Sequence, residues 1–127
     1  MRRESCNQVH VAWIKLANIL PKGDLTTHGR TLQEDTRAVV QGAKARFPNL
    51  RIAYLSSRIY GGWTTVPLNP EPYAYEGAFV VRWLIQDQIT GHPGLNADPA
   101  RGPSERPCCC GVRISGLIGR RRGREMA

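Results

Sequence analysis

Apolar positions gather in four stretches, and their spacing differs from one to the next. Val9 to Leu16 (VHVAWIKL) is apolar on both alternating faces apart from His10 and Lys15. That is the pattern of a strand covered on both sides, and it predicts a central parallel strand. Asn18 to Gly29 is broken by Pro21 and Gly23 and reads as a loop. Leu32, Val39, Val40, Ala43 and Phe47 then recur at helical spacing with charged residues between them. Thr31 with Glu34 three residues on resembles a capping box at the start of that helix, and Pro48 ends it. Leu50 to Leu55 is a short run with β-branched and aromatic members ahead of polar Ser56-Ser57-Arg58, and predicts a second buried strand. Tyr75, Ala78, Phe79, Val81, Leu84 and Ile85 make a broad helical stripe from Tyr73 onward, opened by Glu71 and Pro72. Between the second strand and this helix, Gly61-Gly62, Pro67, Pro70 and Pro72 forbid regular structure and leave a long loop. Beyond Ile89, glycine and proline break every element. Residues 1–8 therefore read as an extension, 9–89 as an α/β domain and 90–127 as an irregular or disordered basic tail.

Strand, helix and strand in about fifty residues make a βαβ unit, whose crossover is right-handed in nearly all folds, so the two strands run the same way. In open α/β sheets ligands bind outside the carboxyl ends of the strands. That rule brings two distant segments to one rim: Lys15 to Asn18 after the first strand, and Ser56 to Tyr60 after the second. The proline-rich loop and the start of the Tyr73 helix hang over the same edge.

The formal charge of +8 over 127 residues points toward an anionic partner until it is located along the chain. Residues 1–100 carry a balance of +3 and residues 101–127 a balance of +5, so most of the basicity is in the tail. Cys6 stands alone, and Cys108, Cys109 and Cys110 are contiguous. Neither arrangement has the paired spacing of a zinc site or the spread of a disulfide framework, so no metal and no cofactor is expected. Met1-Arg2-Arg3 is followed by polar Glu4 to Gln8 rather than an apolar run, so no signal peptide is expected, and no segment reaches membrane-spanning length.

A nucleophilic hydrolase needs Ser or Cys near a His that a carboxylate orients. Ser56 and Ser57 stand at a strand end but lack a Gly-x-Ser-x-Gly elbow, and Gly23-Asp24-Leu25 lacks the serine of a Gly-Asp-Ser box. His10 reads as a hydrogen-bonded core residue, His28 as a solvated loop residue, and His92 sits beside Pro93 in the irregular region. Asn18, at the tip of the first strand, is either a side-chain amide that donates to a developing oxyanion or an ordinary turn residue before Pro21. Lys15, Arg58 and Glu76 are charges close to apolar segments, where they either form an ion-pair network or line a polar pocket. Tyr60, Trp63, Tyr73 and Tyr75 either stack a carbohydrate-sized ligand or belong to the core.

VAWIKLAN, RFPNLRIAYLSSRIYGGW, PLNPEPYAYEGAFVVRWLIQDQ and LNADPARGP, spanning about residues 9–103, closely resemble the C-terminal portion of SGNH/GDSL-like hydrolase domains of secreted bacterial proteins. The resemblance implies a flavodoxin-like three-layer sandwich, seen here in part, and a parent that cleaves a small-molecule or glycan ester. It implies that Asn18 falls on the family's oxyanion-hole asparagine, and that Lys15, Ser57, Arg58, Tyr60 and Glu76 belong to the substrate rim. The family's Gly-Asp-Ser box is expected before Val9 and its Asp-x-x-His box after the present tail, so the chain alone is expected to be inactive. Parents of this group are often secreted, which sets no compartment for this chain. From Pro107 on, one choice of synonymous codons shifted by one base reads Leu-Leu-Leu-Trp-Gly-Pro-Tyr-Leu-Trp-Ala-Asp, similar to the apolar, aromatic stretch found at this position in the group. Residues from about Ser104 are therefore expected to be a frameshifted translation, and nucleic acid is not the expected partner. Two rival readings remain: a small basic protein that holds RNA or an anionic surface through Arg113 to Arg124, and a small esterase that uses Ser57 with His28 or His92.

Overall fold

The computed structural model describes residues 5–57, 61–63, 65–103 and 106–111. Its regular elements are β1 (Val11–Lys15), α1 (Leu25–Arg46), β2 (Ile52–Ser56), α2 (Tyr73–Ile89) and β3 (Cys108–Gly111), with short 3₁₀ turns at Cys6–Gln8, Pro93–Leu95 and Pro99–Arg101. The strands form one all-parallel sheet in the order β1-β2-β3, with Val11 opposite Ile52 and Ile52 opposite Cys108. The chain is thus an α/β protein built from a βαβ unit and a further helix, the arrangement of part of a flavodoxin-like sandwich. Arg58, Tyr60 and the basic stretch from Arg113 to Arg124 lie outside the described residues.

β1 is not the central strand that its apolar pattern predicts. It lies at one edge, and Val11, Trp13 and Lys15 are exposed while Ala12 and Ile14 turn inward. The cause is the order of the sheet. Two crossovers of one hand stepping the same way across a sheet leave both helices on the same face. The other face carries Val11, Trp13 and Tyr54 in the open, with Trp13 72 % exposed. On the covered face Leu32 and Val40 of α1, Leu55 of β2, Val80 and Leu84 of α2, Leu95 and Cys109 form one core, with Ile14 packed against it.

α1 begins six residues before Thr31. Gly23, at φ +91, turns the chain, and Asp24 caps the helix through its carboxylate, which accepts from the Thr27 amide at 2.9 Å and the Thr27 hydroxyl at 2.7 Å. Thr31 lies inside the helix and donates back to the Thr27 carbonyl. The stripe that predicts α1 is also redrawn: the residues buried at spacings of four are His28, Leu32, Thr36 and Val40, while Val39 is exposed. α2 starts at Tyr73 as its pattern predicts. Its buried row is Ala74, Gly77, Val80 and Leu84, and Tyr75 stands outside it against Phe79.

The segment expected to be irregular after Ile89 is built into the fold over 91–103 and 106–111. Leu95 and Pro107 are fully buried, and the cysteine triplet pairs with β2 as a third parallel strand. Cysteine is small and apolar enough to sit under a helix. Gln88 of α2 fastens the strand: its Nε2 donates to the carbonyls of Leu95 and Pro107, and its Oε1 accepts from the Cys109 amide. Burial pushes the Cys109 thiol up to about 11, and burial together with Cys110 raises that of Cys108.

Candidate functional site

The parallel pairing of β1 with β2 sets Lys15 opposite Ser56, so both strands end at one edge of the sheet. Trp13 reaches across this register, its Nε1 donating to Ser56 Oγ at 2.8 Å. Beyond the edge the chain after β1 runs over the start of α1, where it meets the proline-rich loop: the Leu20 amide donates to the Leu68 carbonyl at 3.0 Å. Leu20 holds φ +52, a left-handed conformation that a leucine adopts only at some cost. Under this bridge lies a cavity of about 210 Å³. Asn18, Lys22, Thr27, His28, Asn69 and Tyr73 line it, with Ile19, Leu20 and Leu32 supplying apolar wall.

His28 is the best-defined group in that wall. It sits in the first turn of α1, 8 % exposed, and its Nε2 is hydrogen-bonded to the Glu76 carboxylate from the first turn of α2. A carboxylate in the first turn of a helix is favoured by the helix dipole, and a buried one needs a partner. Both conditions are met here. Tyr73 stands edge-on to the imidazole, ring centroids 4.7 Å apart, and its hydroxyl donates to the Gly23 carbonyl. The ring is thereby held on two sides. The expectation of a solvated loop histidine fails because α1 begins at Leu25, which puts His28 on the buried helical row ahead of Leu32. His10, expected in the core, is exposed before β1 with a ring nitrogen against the Asn49 carbonyl. His92 accepts from the Gly94 amide and caps a 3₁₀ turn.

The candidates read from the sequence divide accordingly. Asn18 lines the cavity, and one of its amide N–H groups is spent on Asp35 Oδ2 at 3.1 Å. Glu76 reaches the cavity through His28. Ser57 is buried beside α2, its Cβ 3.5 Å from where a side chain on Gly77 would begin, one residue from Glu76 and off the cavity wall. Lys15 is solvated at the end of β1 rather than set against apolar packing. Of the aromatics, Tyr73 lines the cavity, while Tyr75 and Trp63 are exposed. Asn69 carries no distinguishing signal in the sequence, yet its Oδ1 is buried in the same wall without a hydrogen-bond partner among the described residues.

Among the described residues no group of three His, Cys, Asp or Glu could hold a metal ion, and no helix is long and apolar enough to cross a membrane. No protein-family model, curated protein or solved structure matches the chain.

Proposed function

We propose that this chain is part of an SGNH-like ester hydrolase domain whose described edge holds the substrate, and that on its own it does not run that family's serine mechanism. The observation that carries the reading is the convergence of Asn18, from the end of β1, with His28 and Tyr73 around one cavity at the carboxyl edge of a parallel sheet. A cavity with amides, hydroxyls, an imidazole, the Lys22 amine and a phenol ring among aliphatic side chains suits a small polar ligand that has an acyl group and hydroxyls. Ser57 is buried against α2, which is a poor setting for a nucleophile that must reach such a ligand.

The same reading assigns residues from about Ser104 to a shifted frame. Either frame would lay three apolar residues along β2, cysteines as translated or leucines in the alternative. Sequencing the source DNA through Pro107 tests it, and codons that do not yield the leucine-rich frame would refute it.

For the serine mechanism, an activity-based fluorophosphonate incubated with the full chain is expected to leave no adduct. A phosphonylated Ser57 found by peptide mass spectrometry would overturn that part of the proposal.

A further inference from the structure

His28 in the cavity wall is backed by the partly buried Glu76 carboxylate, a pairing that a purely substrate-holding edge does not require. We propose that His28, oriented by Glu76, is a general base that activates water against an ester in this cavity, a hydrolytic route with no serine; it rests on the edge being where an ester is held.

The carboxylate on Nε2 fixes the tautomer with its proton there, which leaves the Nδ1 lone pair as the basic site. Nδ1 makes no hydrogen bond among the described residues, and His28 lines the cavity. Tyr73 holds the ring plane at 87° to its own, so the base is oriented before any ligand arrives. Asn18 in the same wall has given one N–H to Asp35 and keeps the second for a carbonyl oxygen that gains charge. Asn69 Oδ1 has no hydrogen-bond partner among the described residues, a deficit that a bound hydroxyl or water relieves.

The step balances without a co-reactant. Nδ1 takes a proton from water as its oxygen bonds to the ester carbonyl carbon, and Asn18 donates to the oxyanion. The intermediate collapses with cleavage of the acyl C–O bond, and the imidazolium returns the proton to the leaving alkoxide. The Glu76 carboxylate, bonded to Nε2, steadies the imidazolium without touching the ester, which makes it a positioning residue.

The test uses the full chain with p-nitrophenyl acetate as substrate and acetanilide, the amide isostere of its phenyl acetate skeleton, as the binding probe. Wild type is expected to release nitrophenolate faster than buffer. His28→Gln keeps a donor for Glu76 and removes the base, so it is expected to keep the wild-type melting temperature and acetanilide affinity and to lose about 100-fold or more in rate, the scale of general-base catalysis. His28→Ala opens space for a soluble base, and imidazole should restore its turnover beyond the rate imidazole gives in buffer. Glu76→Gln should lower the rate at unchanged acetanilide affinity, with Glu76→Asp recovering part of it. His10→Ala and His92→Ala should match wild type. Acetanilide bound at the edge with no hydrolysis above buffer, or with His28→Gln as fast as wild type, overturns the general-base inference alone. No acetanilide binding at the edge overturns the substrate-holding reading and this inference with it.

Discussion

Gln88→Ala should loosen β3 on the side that its pairing with β2 does not hold. The side chain makes three hydrogen bonds: 2.9 Å to the Leu95 carbonyl, 3.0 Å to the Pro107 carbonyl and 2.8 Å from the Cys109 amide. Leu95 and Pro107 are fully buried and Cys109 is 5 % exposed, so truncation strands the Leu95 carbonyl and the Cys109 amide where water reaches them poorly, and leaves the Pro107 carbonyl only the weak Cys109 thiol donor at 3.8 Å. A buried polar group left unpaired costs about 1–3 kcal/mol. Local opening would let water repair some of that, giving about 3 kcal/mol in all, a large share of the roughly 5–15 kcal/mol that holds a domain together. Urea unfolding reads the loss directly. A second readout is iodoacetamide labelling of Cys109, which should be slow in wild type and fast in the variant at urea concentrations below the unfolding transition. A Gln88→Ala chain within about 0.5 kcal/mol of wild type, with Cys109 still protected, would refute the role given to this clamp.

The buried Cys109 thiol, raised from its ordinary 9.0 to about 11, makes the fold sensitive to alkali. The unfolded chain gives up that proton first, so stability is intact below pH 9 and falls between pH 9 and about 11, by on the order of 2–3 kcal/mol; Cys109→Ala should flatten this slope in urea melts. Asp24 is held below its ordinary 3.8, first by the Thr27 hydroxyl and then by the Thr27 amide. Its cap therefore stabilises above the unfolded value and is lost as pH falls through the folded one, and Asp24→Ala should lower the melting temperature at neutral pH but hardly at acid pH. Trp13→Lys, on the open face of the sheet, should change stability by no more than about 1 kcal/mol and reduce self-association in sedimentation runs, since exposed apolar faces and sheet edges drive it.

The parts of this fold that read clearly from the sequence are those where one pattern has one meaning. Leu50 to Leu55 lies between turn residues and holds most of a strand, Ile52–Ser56, and the apolar rows after Tyr73 form a helix that begins at that residue. The direction of both strands and the edge where they end follow from chain length and crossover hand. Val9 to Leu16 misleads because a run apolar on both faces also fits an edge strand with one face left open. His28 is hidden by a competing cap: Thr31-x-x-Glu34 resembles a helix start, while Asp24 with Thr27 is the one used. The signal that could have found it is the row of four that runs back from Val40 through Thr36 and Leu32 to His28, together with Glu76 as a charge inside an apolar stripe. β3 has no such signal, because a run of cysteines between a proline and a glycine carries no strand period, and what holds it is its pairing with β2 on one side and a glutamine of a neighbouring helix on the other.

The account stands on a ligand edge made by the ends of β1 and β2 and the first turns of α1 and α2. Titrating the ¹⁵N-labelled chain with acetanilide, followed by amide and side-chain NMR shifts, tests it most directly. Shifts should concentrate on the Asn18 side-chain amide, Thr27, His28, Asn69 and Tyr73, which share the cavity wall. Shifts confined to the opposite end of the sheet, around His10 and Asn49, or none at saturating ligand, would contradict it.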